Sequence, residues 1–325
     1  MKKILVFLIL SVTIVSCYDD YMYDYEYNAI YFPYQIDVRT FVVGEGMKFT
    51  VGAELAGVKN NTVNRNVSFV LQPSLITPDI LNQMKNSSFT HIKNASSNVT
   101  GILPLPANYY TLSDNNTIVI KEGWHVGNIT VKPDSATFLA DAATLVPTYI
   151  LPFYISTADA DSIIEPKRYA LIGVKYENKL FGNYYHGGAA LVNRPGLPDT
   201  TFLYKTTIPI PENKIWNLKT LSAFQLGLNG YLNQNSSKNE MILTINGTDV
   251  TISSSAGSTY VFTPDGVSTY NNPKLLQHRK LFLKYKYTNP GTGYTYHCTD
   301  TMTFRNRLRD GVNEWQDENP SHYTK

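Results

Sequence analysis

The residues that could do chemistry are scattered. His91, His125, His186, His278, His297 and His322 form no pair two or four apart, so no short metal motif is spelled out. A zinc site would have to be assembled from distant residues. Asp159 and Asp161 could offer oxygens to calcium, but no loop carries the six or more ligands which that ion takes. The pair reads instead as a turn in which Asp and Ser side chains bond nearby backbone N–H groups. No G-x-S-x-G elbow occurs. Cys298 alternates with Tyr294 and Tyr296 as a buried strand residue does, and no basic cluster is arranged to activate its thiol. Glycoside hydrolysis needs only two carboxyls about 5–9 Å apart. The acids from Asp310 to Glu318, beside Trp315, are the best source of such a pair. The preferred reading of that run is a plug, with Trp315 sealing one end of a barrel while Arg305, Arg307 and Arg309 meet the acids at the rim. No catalytic residue, metal or cofactor is assigned.

Sugar binding asks for an aromatic face to stack on ring C–H groups and planar polar side chains for the hydroxyls. Trp216 with Asn213 and Asn217 is one candidate group, Tyr231 in the polar Asn229–Asn239 segment another, and Trp315 a third. Trp124 and the Tyr184-Tyr185-His186 run are further options. Each reads more readily as core or hairpin packing.

What would position these residues begins with residues 1–16. Lys2 and Lys3 precede an apolar or weakly polar run from Ile4 to Val15. The run suits the core of an export signal and falls short of the roughly 20 residues that span a bilayer. The ending Ile14-Val15-Ser16-Cys17 resembles a bacterial lipobox, which implies a lipid on the Cys17 thiol and an outer-membrane anchor; two or more acyl chains hold stably where one does not. Residues 17–28 then carry Asp19, Asp20, Asp24 and Glu26 with five tyrosines and no base, a solvated tether. Acids just after the lipid cysteine resemble the export tag of Bacteroidetes-type surface lipoproteins and imply exposure at the cell surface.

Removing residues 1–16 takes away two lysines and no acid, leaving 26 basic and 26 acidic groups. A chain so balanced has no long-range field for phosphate backbones, which argues against nucleic acid as a partner. Charged residues are 17% of the chain, below the roughly 25% of an average soluble protein. Polarity comes instead from 29 Asn with abundant Ser and Thr, and 24 Tyr supply much of the aromatic content. With Cys17 spent on lipid, Cys298 has no intramolecular partner, so the domains must stand on their own cores.

From residue 29 to 178 the pattern has period two. Phe49, Val51, Ala53 and Leu55 alternate with polar or small residues, as do Val67, Phe69 and Leu71, and further runs lie at 118–120, 129–131, 149–155 and 171–176. Short helices are predicted over 78–84 and 135–142. Seven or so strands in this span predict an immunoglobulin-like two-sheet sandwich, without the Cys-Trp-Cys signature of true immunoglobulin domains. The run KLFGNYYHGG marks a change of character, placing the second domain at 179–325. Its strands flank Asn246-Gly247, a hairpin turn in which both positions are expected at positive φ, and Asn289-Pro290-Gly291. Successive hairpins without helical crossovers predict an antiparallel meander, closed into a barrel that leaves no edges.

The stretches YFPYQIDVRT (31–40), LPLPANYYTLS (103–113), FLADAATLVPTYILPFYIS (138–156), ADADSII (158–164), YALIGVKYENKLFGNYYHGG (169–188) and TFRNRLRDGVNEW (303–315) together resemble the two-domain lipoproteins of Bacteroidetes glycan-utilisation loci. The likeness covers nearly the whole chain after Cys17. It implies an all-β protein, an immunoglobulin-like sandwich followed by a calycin-like antiparallel barrel, both domains of unknown function. It also implies capture of a glycan or polysaccharide at the cell surface, beside an outer-membrane importer. The expectation is a non-enzymatic, lipid-anchored glycan-binding protein. The rivals are a structural or adhesin-like surface protein that binds other proteins, and a glycoside hydrolase.

Overall fold

The computed structural model describes residues 27–204 and 213–316. The leader, Cys17 and most of the acidic tether lie outside the described residues, as do Asp317, Glu318 and His322.

The first domain is a sandwich of two sheets. One runs in the order Ser162–Ile163, Ala29–Tyr31, Phe49–Ala56, Val126–Pro133, Tyr110–Leu112. The other runs Ile36–Val43, Tyr169–Asn178, Tyr149–Ala158, Arg65–Leu71, Thr117–Ile120. Ile36–Val43 pairs in parallel with Tyr169–Asn178 over eight residues, a match that no local pattern announces. Between the sheets, alternate side chains build a core around Phe32, Phe41, Phe69, Phe138 and Phe153, each worth roughly 1.5–3 kcal/mol of burial. The ILPFYI run of Tyr149–Ala158 is buried on both faces. Its outer face is covered by the predicted helix Pro78–Lys85 and by a helix the pattern missed, Thr90–Ser96. Ile80, Met84 and Ile92 pack there on Val38, Ile150 and Leu171. A strand covered on both sides reads as a continuous apolar run instead of an alternating one. The second predicted helix spans Ser135–Ala140, capped by Asp134, which accepts from the Thr137 N–H at 2.9 Å.

The second domain is a closed eight-stranded barrel. Its strands are Gly182–Arg194, Lys214–Ser222, Gln225–Leu228, Met241–Asn246, Asp249–Ser254, Ser268–Tyr270, Lys280–Thr288 and Thr295–Arg309. The last pairs with the first from Asn306 against Asn183 to Thr295 against Asn193, which closes the ring. Gly182–Arg194, in the aromatic-glycine stretch where no strand was expected, is therefore central. At Gly188 the backbone has φ 154°, and an added Cβ would sit 2.3 Å from the Thr299 carbonyl oxygen, so glycine permits this pairing. The Asn246-Gly247 turn departs from expectation by one residue. Asn246 pairs with Asp249 as the last strand position, and Gly247 at φ 61° is the first of two turn residues. A glycine there suits a II′ turn, in which only the first central residue needs positive φ.

The domains meet at a buried ionic junction. Glu45, in the turn between Ile36–Val43 and Phe49–Ala56, accepts from Arg279 at 2.5 Å and from both terminal nitrogens of Arg307 at 2.9 and 2.7 Å. These side chains are at most 4% exposed. Arg307 also donates to Glu314 at 2.5 Å, and Arg309 joins the same carboxylate. Of the three arginines expected to meet the acids, Arg307 and Arg309 do so, though not at a plugged rim, while Arg305 donates to Asn306 and lies over the Tyr185 ring. Asp310 and Gly311, both at positive φ, turn Val312–Glu314 back along the outside, which leaves Trp315 57% exposed. Trp315 seals nothing.

Candidate functional site

Inward-facing side chains fill the barrel. Trp216 is fully buried, and His186 stacks on it with ring centroids 3.4 Å apart at 14°. Gly230 lies against the indole, where an added Cβ would sit 2.2 Å from the ring. Gly230→Ala is therefore expected to destabilise the barrel by about 1–3 kcal/mol, read as an earlier urea midpoint; a midpoint that stays put would deny the close packing. Asp300, 1% exposed, accepts from Tyr285 at 2.8 Å and from Tyr204, with His186 Nε2 3.1 Å away but out of line for a hydrogen bond. Burial first, then the Asp300 charge, pushes the Tyr204 and Tyr285 hydroxyls well above their ordinary range, so both stay donors. This polar cluster has no open face and serves the core.

Asn213 and Asn217 do not gather around Trp216 to form a sugar site. Alternation points the indole inward. Asn213 donates to the His186 carbonyl at 2.9 Å, and Asn217 donates to Asn183 at 3.1 Å, both supporting strand pairing. Tyr184 is buried and donates to the Leu180 carbonyl at 3.0 Å, and Trp124 stands 67% exposed on a turn of the sandwich. In the acidic cluster near Trp315, Glu314 is held by two arginines and Asp310 accepts from the Thr40 N–H at 3.2 Å. Asp159 and Asp161 accept from the backbone and side chains of Asn66 and Asn28, far away in sequence, so they tie their loop to neighbouring strands and do not bond nearby turn N–H groups as expected. Cys298 is buried, and burial pushes its thiol far up. Among the described residues no group of three His, Cys, Asp or Glu is placed to hold a metal ion.

Tyr231 leads elsewhere. It packs edge-on to Tyr260 and Tyr287, centroids 5.7 and 5.6 Å away, at one end of the barrel. There Tyr287 is sandwiched between Tyr260 and Tyr296, at 4.9 Å on each side with interplanar angles of 21° and 6°. Tyr287 is 4% exposed, whereas Tyr260 and Tyr296 are half-buried. Beside this column opens a groove of about 740 Å3, lined by Tyr260, Tyr287, Ser258, Thr259, Lys286, Thr288, Thr295 and His297 among others. The loop that brings Tyr260 here is held by Glu240, fully buried, which accepts from the Thr259 N–H at 2.6 Å and its hydroxyl at 3.0 Å. Ser254 accepts from the Phe262 N–H at 2.6 Å. Below the column, Asp265 accepts from His297 Nδ1 at 2.7 Å and lies 3.7 Å from the Lys286 ammonium. The Thr288 and Thr295 hydroxyls lie 2.9 Å apart. Burial pushes the Tyr287 and Tyr231 hydroxyls upward, so they remain neutral. The half-buried Tyr260 ring, an edge of Tyr287, the hydroxyls and one ionic cluster line this groove. Only Tyr231 of this group was singled out from the sequence. Tyr287 and Tyr296 hid in alternating strands, and Tyr260 in a Ser/Thr loop.

A model of the N-terminal domain of a two-domain family matches residues 23–162, and its C-terminal counterpart matches residues 168–303. A structural-genomics protein of unknown function from Bacteroides ovatus is 19% identical, with a TM-score of 0.65 over 90% of this chain and 98% of that one. A second such protein from Bacteroides ovatus is 16% identical, with a TM-score of 0.44 over 89% and 100%. A multidomain protein including DUF1735, also from Bacteroides ovatus, is 15% identical, with a TM-score of 0.44 over 89% and 100%. The first likeness is one of fold. No curated protein matches the sequence.

Proposed function

The chain belongs to the two-domain β family whose paired N-terminal and C-terminal models match it, and from that premise we propose that it is a lipid-anchored surface protein that captures glycans. Cys17 anchors it in the outer membrane, the acidic tether and sandwich hold the barrel away from the lipid, and the barrel end takes the sugar chain. A neighbouring outer-membrane importer receives what is captured. The role is binding without catalysis.

One observation carries this reading: the groove beside the Tyr260–Tyr287–Tyr296 column, where ring surface lies next to Ser258, Thr259, Thr288 and Thr295 hydroxyls. A pyranose presents the same two chemistries, C–H faces and hydroxyl edges. An aromatic contact is worth about 0.5–1.5 kcal/mol, so a single groove binds weakly. Many copies on one membrane raise the effective affinity without a deeper pocket.

Affinity electrophoresis against a broad polysaccharide panel tests the proposal. Retardation by at least one polymer is expected, and Tyr260→Ala should weaken it by roughly threefold to tenfold, matching one lost ring contact. No retardation by any polymer, with a known binder retarded in the same gels, rules the reading out.

A second reading, protein binding, is favoured by one feature. Leu197–Tyr204 pairs only with Gly182–Arg194 among the described residues, and exposes Phe202 by 46% and Leu203 by 75%. A free apolar edge invites another strand. Pull-down of a partner that is lost in Leu203→Lys, with no glycan retardation, would favour it.

A further inference from the structure

The outer wall of the barrel below the groove has a charge pattern that the balanced chain conceals. Strand alternation puts Lys280, Phe282, Lys284, Lys286 and Thr288 on the outside of Lys280–Thr288, and none of them is buried. Across the ladder, Thr303 pairs with Lys280, Thr301 with Phe282, Thr299 with Lys284 and His297 with Lys286. The next strand continues these rows with Tyr185, Gly187, Ala189 and Leu191. The result is three parallel files: a lysine file, a file of threonines with His297, and a file whose middle is only Gly187 and Ala189. The small residues of the third file, Gly187 buried and Ala189 half-buried, make a low strip, or trough, beside the threonines. Along the strand the lysines stand about 13 Å and about 7 Å apart. At the far end Arg305 lies over the Tyr185 ring, 5.8 Å from its centroid.

None of the three files contains an acid. The two acids that border them are already engaged: Asp265 with His297 and Lys286, and Asp199 with Asn193 at 2.7 Å. Asp300 lies on the same strand as the threonine file but faces the interior. Lys280 and Lys284 make no ion pair among the described residues, so their charges face solvent. The trough joins the groove at Lys286 and His297, which line both.

We propose that the polymer bound by this protein is an acidic glycan, its uronate carboxylates meeting Lys280, Lys284 and Lys286 along the trough while a sugar ring rests at the Tyr260 groove. This rests on the reading of the barrel end as a glycan site. Threonine hydroxyls match the remaining sugar hydroxyls, and the spaced single lysines suit a chain that carries its charges at intervals. A phosphodiester chain would call for guanidinium forks along its path as well as stacking rings; the files carry one arginine, at their far end over Tyr185, and besides Tyr185 one phenyl ring, Phe282.

The test compares polygalacturonate with its methyl-esterified form, which keeps the backbone and loses the charge, in affinity gels of the full chain. Binding to polygalacturonate alone is expected. It should weaken when salt rises from about 50 mM to about 500 mM, which shortens the screening length about threefold. In Lys284→Gln/Lys286→Gln it should fall by roughly tenfold, the scale of two exposed charge contacts. Both changes lie on the solvent face, and an unchanged melting temperature confirms that the variant folds. Equal binding of the esterified polymer overturns the acidic-glycan proposal and leaves glycan capture standing. Binding of dextran sulfate and homopolymeric DNA as tight as that of polygalacturonate overturns it in favour of charge-only adsorption. No binding of these or of any neutral polysaccharide overturns both.

Discussion

Glu45→Ala is expected to cost about 3–5 kcal/mol, the scale for breaking a buried pair by removing one partner, because it takes the shared carboxylate away from two buried arginines at the junction. Arg307 is 1% exposed and retains Glu314, whereas Arg279 keeps its contact with the Lys179 carbonyl. Thermal melting should show the loss as a fall of roughly 10 °C and a split of one transition into two, as the sandwich and barrel uncouple. A single transition at the wild-type temperature would remove the junction from any account of stability. The same carboxylate predicts a pH dependence. Burial raises its pKa, but the bonds and charges of Arg307 and Arg279 outweigh burial and hold it below its ordinary value of 4.5. A depressed folded-state pKa contributes stability that is fully present above 4.5 and lost as pH falls through the lower folded value. The wild-type junction should therefore weaken in acid, and Glu45→Gln should lack that part of the acid sensitivity.

The second large effect is expected in the barrel interior. Asp300→Ala removes the acceptor shared by Tyr204 and Tyr285 and leaves two buried hydroxyls without it, near a His186 that has no aligned partner. Each unsatisfied group costs about 1–3 kcal/mol, so a total of roughly 3–5 kcal/mol follows, with the cavity adding to it. Urea denaturation followed by tryptophan emission reads this change, since Trp216 is buried while Trp124 and Trp315 are already exposed. The midpoint of the Trp216 transition should fall, and Asp300→Asn, which keeps one acceptor oxygen, should fall less. If Asp300→Ala shifts stability by less than about 1 kcal/mol, the cluster is packing filler and not a bonded network.

Much of the architecture was legible because strand alternation is a local signal. The alternating runs around Val51, Phe69, Ile129 and Tyr285 each became a half-buried strand, and the hairpins at 246–249 and 288–295 join the strands they were expected to join. The candidate site was far less legible. Trp216 looked like a platform because an indole beside two asparagines fits a sugar, yet in the ladder the indole points inward and the asparagine side chains bond the neighbouring strand. Tyr287 looks no different from Tyr285 in sequence, though only Tyr287 reaches the groove. Their difference is height along one strand, which depends on where the barrel ends.

By itself the sequence determined the β character, the two modules and the period that sorts each strand into two faces. Those follow from side-chain chemistry within a few residues. Only the tertiary structure decided which face of each strand turns inward, that Thr295–Arg309 closes on Gly182–Arg194, and that Glu45 meets Arg279 and Arg307 more than two hundred residues away. These depend on partners that share no sequence neighbourhood. Ring closure turns three unremarkable strands into an acid-free wall, and long-range pairing sets that outcome.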